Sequence, residues 1–395
     1  MPSHAIRFCA TCLALAPLLS APPAKAMDEA APGSVNAMAQ AASPRAIAEY
    51  RRLLREYQEA RSAFEAEAGA YWNAIAEKRR GRNAKRREHL AITLDDYVLT
   101  QPPSYTGPKR PINPEPEQPE ARPPREHKAI PLVGDLLQAA NEHFQWQPQR
   151  PAREIEFKRA YARAAAAAGL TREQAVRVYS FETGGNGNYD MQSGLRGGRA
   201  ASTAIGYNQL LTTNSIELLA EQGPEFIQAL TQKAASLSGP HRQTLERKIA
   251  VLKNMVAFAK SVPDDWSAHE KLADTQQGWA LHAMVLDIDV GPLLQTHKLL
   301  TSVVFARAKG FARPLSAAEL EMMNLSGDGT GLDMVTMPQA MRELVPTSNF
   351  FRRDGYERNP VAIRYNTVAR LLAVTDSRMD SYSSLAGAKE LAAAF

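Results

Sequence analysis

The chain has 395 residues, with 47 lysines and arginines against 42 aspartates and glutamates, which gives a formal net charge of +5. This small, scattered excess suits an approach to anionic polymers or phospholipid headgroups, but it excludes the dense positive field of a nucleic-acid-binding protein. The region 131–395 has an apolar pattern and is long enough to build a single sizeable hydrophobic core.

The first 26 residues have the pattern of a cleaved secretory signal peptide. A positively charged start leads into an apolar run over residues 8–19, and Ala24 and Ala26 supply the small-x-small cleavage pattern. The run is shorter than the roughly 20 residues that a bilayer-spanning helix needs, so we expect a periplasmic or secreted protein, with a short membrane anchor as the alternative. Cys9 and Cys12 both fall inside this signal, which predicts a mature chain without disulfides or cysteine metal sites.

A long helix is predicted to follow a flexible, alanine-rich leader at residues 27–42. The helical segment covers residues 43–92, with Ser43 as the N-cap and Pro44 at the first helical position. One stripe of the helix repeats at three- and four-residue steps and consists of Ile47, Tyr50, Leu54, Tyr57, Phe64, Tyr71 and Ile75. Because Arg61 and Ala68 interrupt this stripe, the pattern falls short of a continuous coiled-coil seam, and a coiled coil stays an alternative.

Basic residues cluster at the end of this helix, namely Lys78, Arg79, Arg80, Arg82, Lys85, Arg86 and Arg87. The helix dipole favours positive charge there, so a solvated helix end explains the cluster, with contact to an anionic surface as the alternative. Residues 93–130 carry a proline every few positions among charged side chains, which predicts a semi-rigid linker of polyproline type.

Region 131–395 is predicted to be mainly α-helical. The predicted helices cover residues 154–168, 171–181, 214–224, 225–237, 243–260, 275–286, 291–309, 317–323 and 361–373. Thr171 and Asn214 are the predicted N-caps of two of them, and Gly223 with Pro224 is expected to end the second. No alternating run is long enough for a central strand, although a small hairpin over residues 186–208 is compatible with the pattern.

Glu182 is the strongest candidate for a catalytic residue. It lies near the end of the helix over residues 171–181, and Ala175, Val178 and Tyr179 share its helical face, so the pattern turns the carboxyl group toward the core. Burial and the negative end of the helix dipole both raise the pKa of a carboxyl group, as a general acid working near neutral pH requires. The glycines that follow allow backbone to approach a ligand. The alternative is a surface glutamate at a frayed helix end.

Glu182 is followed by Thr183, then by Ser193, and then by the sequence AIGYNQL at residues 204–210. This order resembles the lysozyme-like superfamily, specifically its soluble lytic transglycosylase branch. Members have Glu-Ser or Glu-Thr, a serine some ten residues later, and a Gly-Ala-x-Gly-Leu-Met-Gln type of segment that leads into a capped helix. The sequence VPTSNFF at residues 345–351 is similar to the closing motif of the family.

The chain departs from the family pattern at three places. The conserved Gly-x-Gly-Leu-Met-Gln core reads Gly-Tyr-Asn-Gln at residues 206–209, and residues 195–202 look like an insertion. The Tyr-Asn-Ala-Gly segment of the family has no counterpart beyond Tyr365-Asn366. These departures concern the substrate contacts more than the acid.

The resemblance implies a lysozyme-like, α-rich catalytic domain that cleaves the bond between N-acetylmuramic acid and N-acetylglucosamine in peptidoglycan. It implies that Glu182 protonates the glycosidic oxygen and then acts as the base toward the sugar's own 6-hydroxyl, which gives a 1,6-anhydro end. It also implies substrate contacts from Ser193, Gly206, Tyr207, Gln209 and Tyr365. No cofactor is implied.

Two alternatives to the lytic transglycosylase hypothesis stay open. A hydrolytic muramidase needs a second carboxylate, for which Asp190 is the nearest candidate in sequence, although a turn residue explains it as well. Asp287 and Asp289 point apart on a helix and compete less well. The other alternative is a non-catalytic wall-binding or scaffold protein with a degenerate lysozyme-like fold.

Metal sites and partners complete the sequence-based expectations. Residues 328–333 suggest a calcium loop but lack the EF-hand pattern, so we expect an ordinary turn there. No two histidines have metal-ligand spacing, so no catalytic metal is expected. The helix at residues 43–92 is the candidate element for docking to an envelope or secretion machine.

Overall fold

The computed structural model describes residues 43–115 and 130–395. The predicted signal peptide at 1–26, the leader at 27–42 and part of the predicted linker lie outside the described residues. The chain divides into two compact units, which we call the N-terminal unit (described residues 43–115) and the C-terminal unit (described residues 130–395). Helices hold 68% of the described residues, so a mainly α-helical fold is confirmed.

The N-terminal unit is built on one long helix, α1 (Pro44–Arg87). Ser43 is its N-cap and accepts a hydrogen bond from the Ala46 amide at 3.2 Å, as the sequence predicts. A short 3₁₀ turn at Leu94–Asp96 follows the helix. No helix in the described part of the chain has the length and apolar character needed to cross a membrane.

The proline-rich segment after the 3₁₀ turn runs back along α1. The guanidinium of Arg82 lies 4.4 Å from the ring centre of Tyr97, and the Tyr71 hydroxyl donates a hydrogen bond to the Thr100 carbonyl at 3.0 Å. Successive residues of this segment therefore meet progressively earlier residues of α1. The described part of the predicted linker is thus packed against the helix.

Tyr105 continues this packing toward the start of α1. Its ring lies 5.4 Å from the ring of Phe64 and 6.3 Å from that of Tyr57, both in edge-to-face geometry. The Arg61 guanidinium lies 5.0 Å from the Phe64 ring and 5.1 Å from the Tyr105 ring. Arg61, which interrupts the apolar stripe, therefore helps to hold the returning segment.

The basic cluster at the end of α1 is partly engaged by the same turn. Arg82 is 1% exposed and donates to the Asp96 carbonyl at 2.8 Å, and Lys85 forms an ion pair with the Asp96 carboxylate at 2.7 Å. Lys78 donates to the Asp95 carbonyl. The turn covers these three cations and pairs with them. They therefore do not form a simple solvated helix end.

Fifteen α-helices are described in the C-terminal unit, and its described strand pairing is limited to isolated bridges. The helices are α2 (Val133–Phe144), α3 (Glu154–Ala167), α4 (Arg172–Thr183), α5 (Thr212–Ala235), α6 (Gly239–Ala259), α7 (Trp266–Ala273), α8 (Gln276–His282), α9 (Gly291–Ala308), α10 (Ala317–Ser326), α11 (Asp328–Thr336), α12 (Gln339–Leu344), α13 (Arg353–Glu357), α14 (Pro360–Arg364), α15 (Val368–Ser383) and α16 (Ala386–Ala393). Short 3₁₀ segments occupy Ala283–Leu286 and Thr347–Phe350. Helix α4 is buried along most of its length and packs against α3, α10, α15 and α16.

Helix α5 corrects the prediction for residues 214–237. It begins at Thr212 and runs without a break through Gly223 and Pro224 to Ala235, whereas two helices were predicted. A Cβ at Gly223 would lie 2.3 Å from a methyl carbon of Val256, so this glycine allows α5 and α6 to pack closely. Packing against α6 supports the helix where the local pattern predicts its end. Asn214 is not the N-cap of α5. Its side-chain oxygen accepts a hydrogen bond from the amide of Leu211, the residue that precedes the helix.

The predicted helix over residues 361–373 is also wrong, because α14 and α15 are separate. Between them the backbone pairs with the segment that precedes α13. The Thr347 amide donates to the Asn366 carbonyl at 3.2 Å, and the Val368 amide donates to the Val345 carbonyl at 3.1 Å. These long-range hydrogen bonds take the place of the helical hydrogen bonds that a continuous helix over residues 361–373 would make.

The turn expected at residues 328–333 is instead the start of α11. Gly331 lets this helix approach α10, because a Cβ there would lie 2.3 Å from the Cα of Met323. Helices α2, α7, α12, α13 and α16 were also not predicted.

Candidate functional site

Glu182 lies in the last turn of α4 and points into the protein. The side chains before it on the same face, Ala175, Val178 and Tyr179, are fully buried, and Glu182 itself is 8% exposed. The helix begins at the Thr171 capping box and ends at Gly184, which has the left-handed φ of 64°. The inward orientation expected from the sequence is confirmed.

Helix α10 supplies the polar groups that face Glu182. Asn324 donates a hydrogen bond from Nδ2 to Glu182 Oε1 at 3.0 Å. Glu321, one helical turn before Asn324, is completely buried. Within the described residues, Glu182 Oε2 and both Glu321 oxygens lack a partner at regular hydrogen-bond geometry. The two carboxyl groups nevertheless interact, since each changes the pKa of the other.

The electrostatics of this pair follow from its burial. Loss of solvent raises the pKa of Glu182 to about 7, against the lowering effects of hydrogen bonding to Glu321 and Asn324 and of the charge on Lys298. Burial and then the charge of Glu182 raise the pKa of Glu321 well above its usual range. The pair therefore holds a proton more tightly than an exposed glutamate does, and Glu182 is the member whose pKa is raised to about 7. A carboxyl group with such a pKa can give up and take back a proton near pH 7.

The glycines after Glu182 serve packing within the protein. A Cβ at Gly185 would lie 2.3 Å from the Tyr382 carbonyl oxygen, and one at Gly187 would lie 2.4 Å from Thr183 Cβ and 2.6 Å from Met191 Sδ. The close backbone approach predicted for this stretch is thus made to α15 and to neighbouring side chains.

Gly206 and Gln209 meet this region through Met191. The Gly206 amide donates to the Met191 carbonyl at 3.0 Å, and Gln209 Nε2 donates to the same oxygen at 3.2 Å. The side chain of Met191 in turn lies next to Thr183 and Gly187. Met191 therefore connects the segment that carries Gln209 to the residues that follow Glu182. Both Gly206 and Gln209 have positive φ, at 86° and 43°.

Ser193 belongs to a loop closed by isolated bridges and not to a continuous hairpin. Its amide donates to the Ala204 carbonyl at 2.9 Å, and its carbonyl accepts from the Ala201 amide at 3.2 Å. The side chain is half-buried. Residues 195–202 form the mostly exposed tip of this loop, with a bridge between Arg196 and Arg199.

Tyr207 corrects a predicted substrate contact, because its side chain has no exposed surface. Its hydroxyl donates to Glu154 Oε1, and its ring packs edge-to-face on Phe157, Tyr161 and Tyr179 at 4.7 to 5.3 Å. Burial and the neighbouring carboxylate of Glu154 raise the pKa of Tyr207, so the phenol stays protonated. Tyr207 is a core residue that fixes the segment containing Gln209.

Asp190, the candidate second carboxylate for a hydrolytic route, lies in an ion pair, and its described contacts do not reach Glu182. It forms an ion pair with Arg150 at 2.5 Å, and Arg150 also donates to the Tyr189 hydroxyl at 2.7 Å. Among the described groups that shift the pKa of Glu182, Glu321 is present and Asp190 is absent.

Tyr365, the remaining predicted substrate contact, follows α14. It is half-buried and its ring lies 5.6 Å from the Arg364 guanidinium. The contacts described for it do not reach Glu182, so its substrate role stays a prediction.

Ser215 and His282 form a second pair with the residue types of a nucleophile and base. The Ser215 hydroxyl lies 2.8 Å from His282 Nδ1, and His282 Nε2 lies 2.9 Å from the Thr203 carbonyl. Because a carbonyl only accepts, Nε2 carries the proton and Nδ1 accepts from Ser215. Burial lowers the pKa of His282 to about 4. Neither side chain is exposed, so this pair ties α5, α8 and the loop together.

No group of His, Cys, Asp and Glu side chains in residues 43–115 and 130–395 is arranged to hold a metal ion. Comparison of the chain with models of protein families, with curated proteins and with solved structures gives no match.

Glu321 and Asn324 are the site residues that the sequence interpretation missed. The signal available for Glu321 was a carboxylate inside an apolar run, since it stands between Leu320 and Met322. A buried acid of this kind is rare without a partner or a function.

Proposed function

We propose that this protein is a peptidoglycan-cleaving glycosidase of lytic transglycosylase type, with Glu182 as its single acid/base. The observation that carries the proposal is the buried carboxyl group of Glu182 in the last turn of α4, where burial raises its pKa to about 7. The order of Glu182, Ser193 and Gln209 resembles the same family and supports the choice of substrate.

In the proposed reaction, Glu182 donates its proton to the glycosidic oxygen that leaves with N-acetylglucosamine. The 6-hydroxyl of N-acetylmuramic acid then forms a bond to the anomeric carbon and returns its proton to Glu182. The C–O glycosidic bond is broken, a 1,6-anhydro ring is formed, and Glu182 ends protonated as it began. The pKa of about 7 suits both steps, because neither proton state is strongly disfavoured near neutral pH.

The test is Glu182→Gln in the full chain, with lysis of purified sacculi and mass spectrometry of the products. Loss of a general acid is expected to reduce the rate by about 10²–10⁴-fold, and the wild type should release anhydro-muramic ends. Glu173→Gln is the matched control, because Glu173 is exposed and is in the first turn of the same helix.

Three outcomes separate the alternatives. Reducing ends in place of anhydro ends would assign a hydrolytic muramidase. Glycan binding without lysis by the wild type would assign a wall-binding or scaffold protein. An unchanged rate in a folded E182Q variant would remove Glu182 from the mechanism.

Export and docking are part of the same proposal. The signal-like pattern at residues 1–26 supports a periplasmic or secreted location, where peptidoglycan lies. Helix α1 is the proposed docking element for an envelope or secretion machine that needs a local opening in the wall. No cofactor takes part in the proposed reaction.

A further inference from the structure

Glu321 is placed beside Glu182 by its position on α10. It is one turn from Asn324, which donates to Glu182 Oε1, so both side chains lie on the face that meets α4. Glu321 has no exposed surface, whereas Glu182 is 8% exposed. Of the two residues, Glu182 is therefore the one nearer to the protein surface.

The charges around the pair leave it short of positive charge. From α9, Lys298 acts on both carboxyl groups, and it also acts on Asp328 of α11. The charged residues that α15 and α16 direct at α3 and α4 are paired elsewhere. Those ion pairs join Arg177 to Asp376 at 2.8 Å and to Asp380 at 3.1 Å, and Lys158 to Glu390 at 2.6 Å.

Two adjacent buried carboxyl groups cannot both ionise cheaply in such surroundings. Three of the buried oxygens that lack regular partners in the described chain, Glu182 Oε2 and both oxygens of Glu321, belong to this same pair. A proton between the two groups would satisfy an acceptor on one side with a donor on the other.

We propose that Glu321 is a positioning residue that stays protonated and donates a hydrogen bond to Glu182 Oε2. Glu182 is then held between two donors, Glu321 at Oε2 and Asn324 at Oε1. Burial alone would make the Glu182 carboxylate too costly to form. The two donors stabilise it enough for Glu182 to release its proton and recover it within one catalytic cycle.

This inference rests on the proposed function for its catalytic meaning, but its test does not require activity. Side-chain carboxyl groups of ¹³C-labelled glutamate are titrated by NMR in the free full-length protein, and E182Q and E321Q assign the two signals. In the wild type, the Glu321 signal should stay at the protonated position while Glu182 titrates near pH 7. Ionisation of Glu321 at or below the pH at which Glu182 ionises would overturn the proposal.

Two substitutions then separate the donor from the volume of the side chain. Glu321→Met keeps the approximate size but cannot donate, and we expect the Glu182 midpoint to rise by about 1–2 pH units. Glu321→Gln keeps an N–H donor and should leave the midpoint near its wild-type value. Equal midpoints in the two variants would contradict a donor role. The wild-type titration decides the question if E321M does not fold.

The pH dependence of sacculus lysis adds a second readout. A positioning role predicts that E321M moves the alkaline limb of the rate profile upward while E321Q does not, whereas a merely structural role lowers the rate equally at every pH. If E182Q proves fully active, the proposed function fails, and the NMR titration still decides the role of Glu321.

Discussion

At the scale of single residues, Glu182 and Glu321 divide two tasks between two chemically identical side chains. Their environments differ in exposure, since Glu182 keeps a small contact with solvent and Glu321 has none. Burial raises the pKa of both carboxyl groups, and the charge of Glu182 raises the pKa of Glu321 further. For these two glutamates, depth of burial therefore distinguishes the proposed roles, whereas the chemical identity of the side chain does not.

The raised pKa of Glu182 has a consequence for stability. Its folded pKa of about 7 exceeds the ordinary value of 4.5, so the folded state binds the proton more tightly and gains stability that is complete below pH 4.5. This contribution is lost as pH rises through 7, and it amounts to about 3 kcal/mol. We expect the free energy of unfolding of E182Q to fall less than that of the wild type between pH 4.5 and 8.

Urea denaturation at the two pH values measures this difference. E173Q is the control, because its exposed carboxyl group should leave the wild-type pH dependence unchanged. An E182Q variant that loses as much stability as the wild type over this range would show that Glu182 does not carry the raised pKa.

The sequence was sufficient to predict the inward orientation of Glu182, because the residues that bury it precede it on the same helix. It was insufficient for Glu321 and Asn324, because their partner is about 140 residues away, as the separation of 142 between Asn324 and Glu182 shows. Helix periodicity describes which face is buried and does not identify the helix that covers it.

At the scale of elements, the errors occurred where tertiary packing overrides a local signal. Gly223 and Pro224 are a strong helix-ending pair, yet α5 continues through them because α6 packs tightly at this point. Between α14 and α15 the reverse occurs, since residues with helical pattern bond instead to a distant segment. Caps that use adjacent side chains, such as Thr171 with Gln174, were predicted correctly because they depend on nothing remote.

Gly223→Ala tests the packing of α5 on α6. The added methyl group would meet Val256 at 2.3 Å, so we expect a loss of about 1–3 kcal/mol in unfolding free energy from overpacking. Gly134→Ala in α2 is the control, since nothing lies within 4 Å of its Cβ position, and its stability should be unchanged or slightly raised. Thermal or urea unfolding measures both, and equal stability of the two variants would contradict close packing at Gly223.

At the scale of the whole molecule, the N-terminal unit shows what composition alone does not reveal. A proline-rich, charged segment predicts an extended linker, and the backbone of its residues 97–115 has no helix or strand. The aromatic residues spaced within it, Tyr97 and Tyr105, nonetheless give it an apolar face that packs on α1. Tyr57, Phe64 and Tyr71 of α1 thus have partners within the same unit.

Tyr105→Ala should loosen this packing. Loss of the ring contacts with Phe64 and Tyr57 is expected to remove about 0.5–1.5 kcal/mol for each aromatic pair, in addition to the area buried. Amide hydrogen exchange in the middle of α1 should therefore become faster by about tenfold or more. Tyr105→Phe keeps the ring and should exchange like the wild type, and identical exchange in Y105A would show that the segment does not stabilise the helix.

Because the proline-rich segment runs back along α1, the two ends of the N-terminal unit are closer together than the length of the chain between them would allow. Helix α1 has 44 residues and so extends about 66 Å, but the chain that leaves it returns beside Phe64 by residue 105. A pull between the two ends of the unit would detach the proline-rich segment one aromatic contact at a time. Each residue released would add about 3 Å to the distance between the two ends of the unit. The unit could therefore lengthen under tension while the helix itself remains intact.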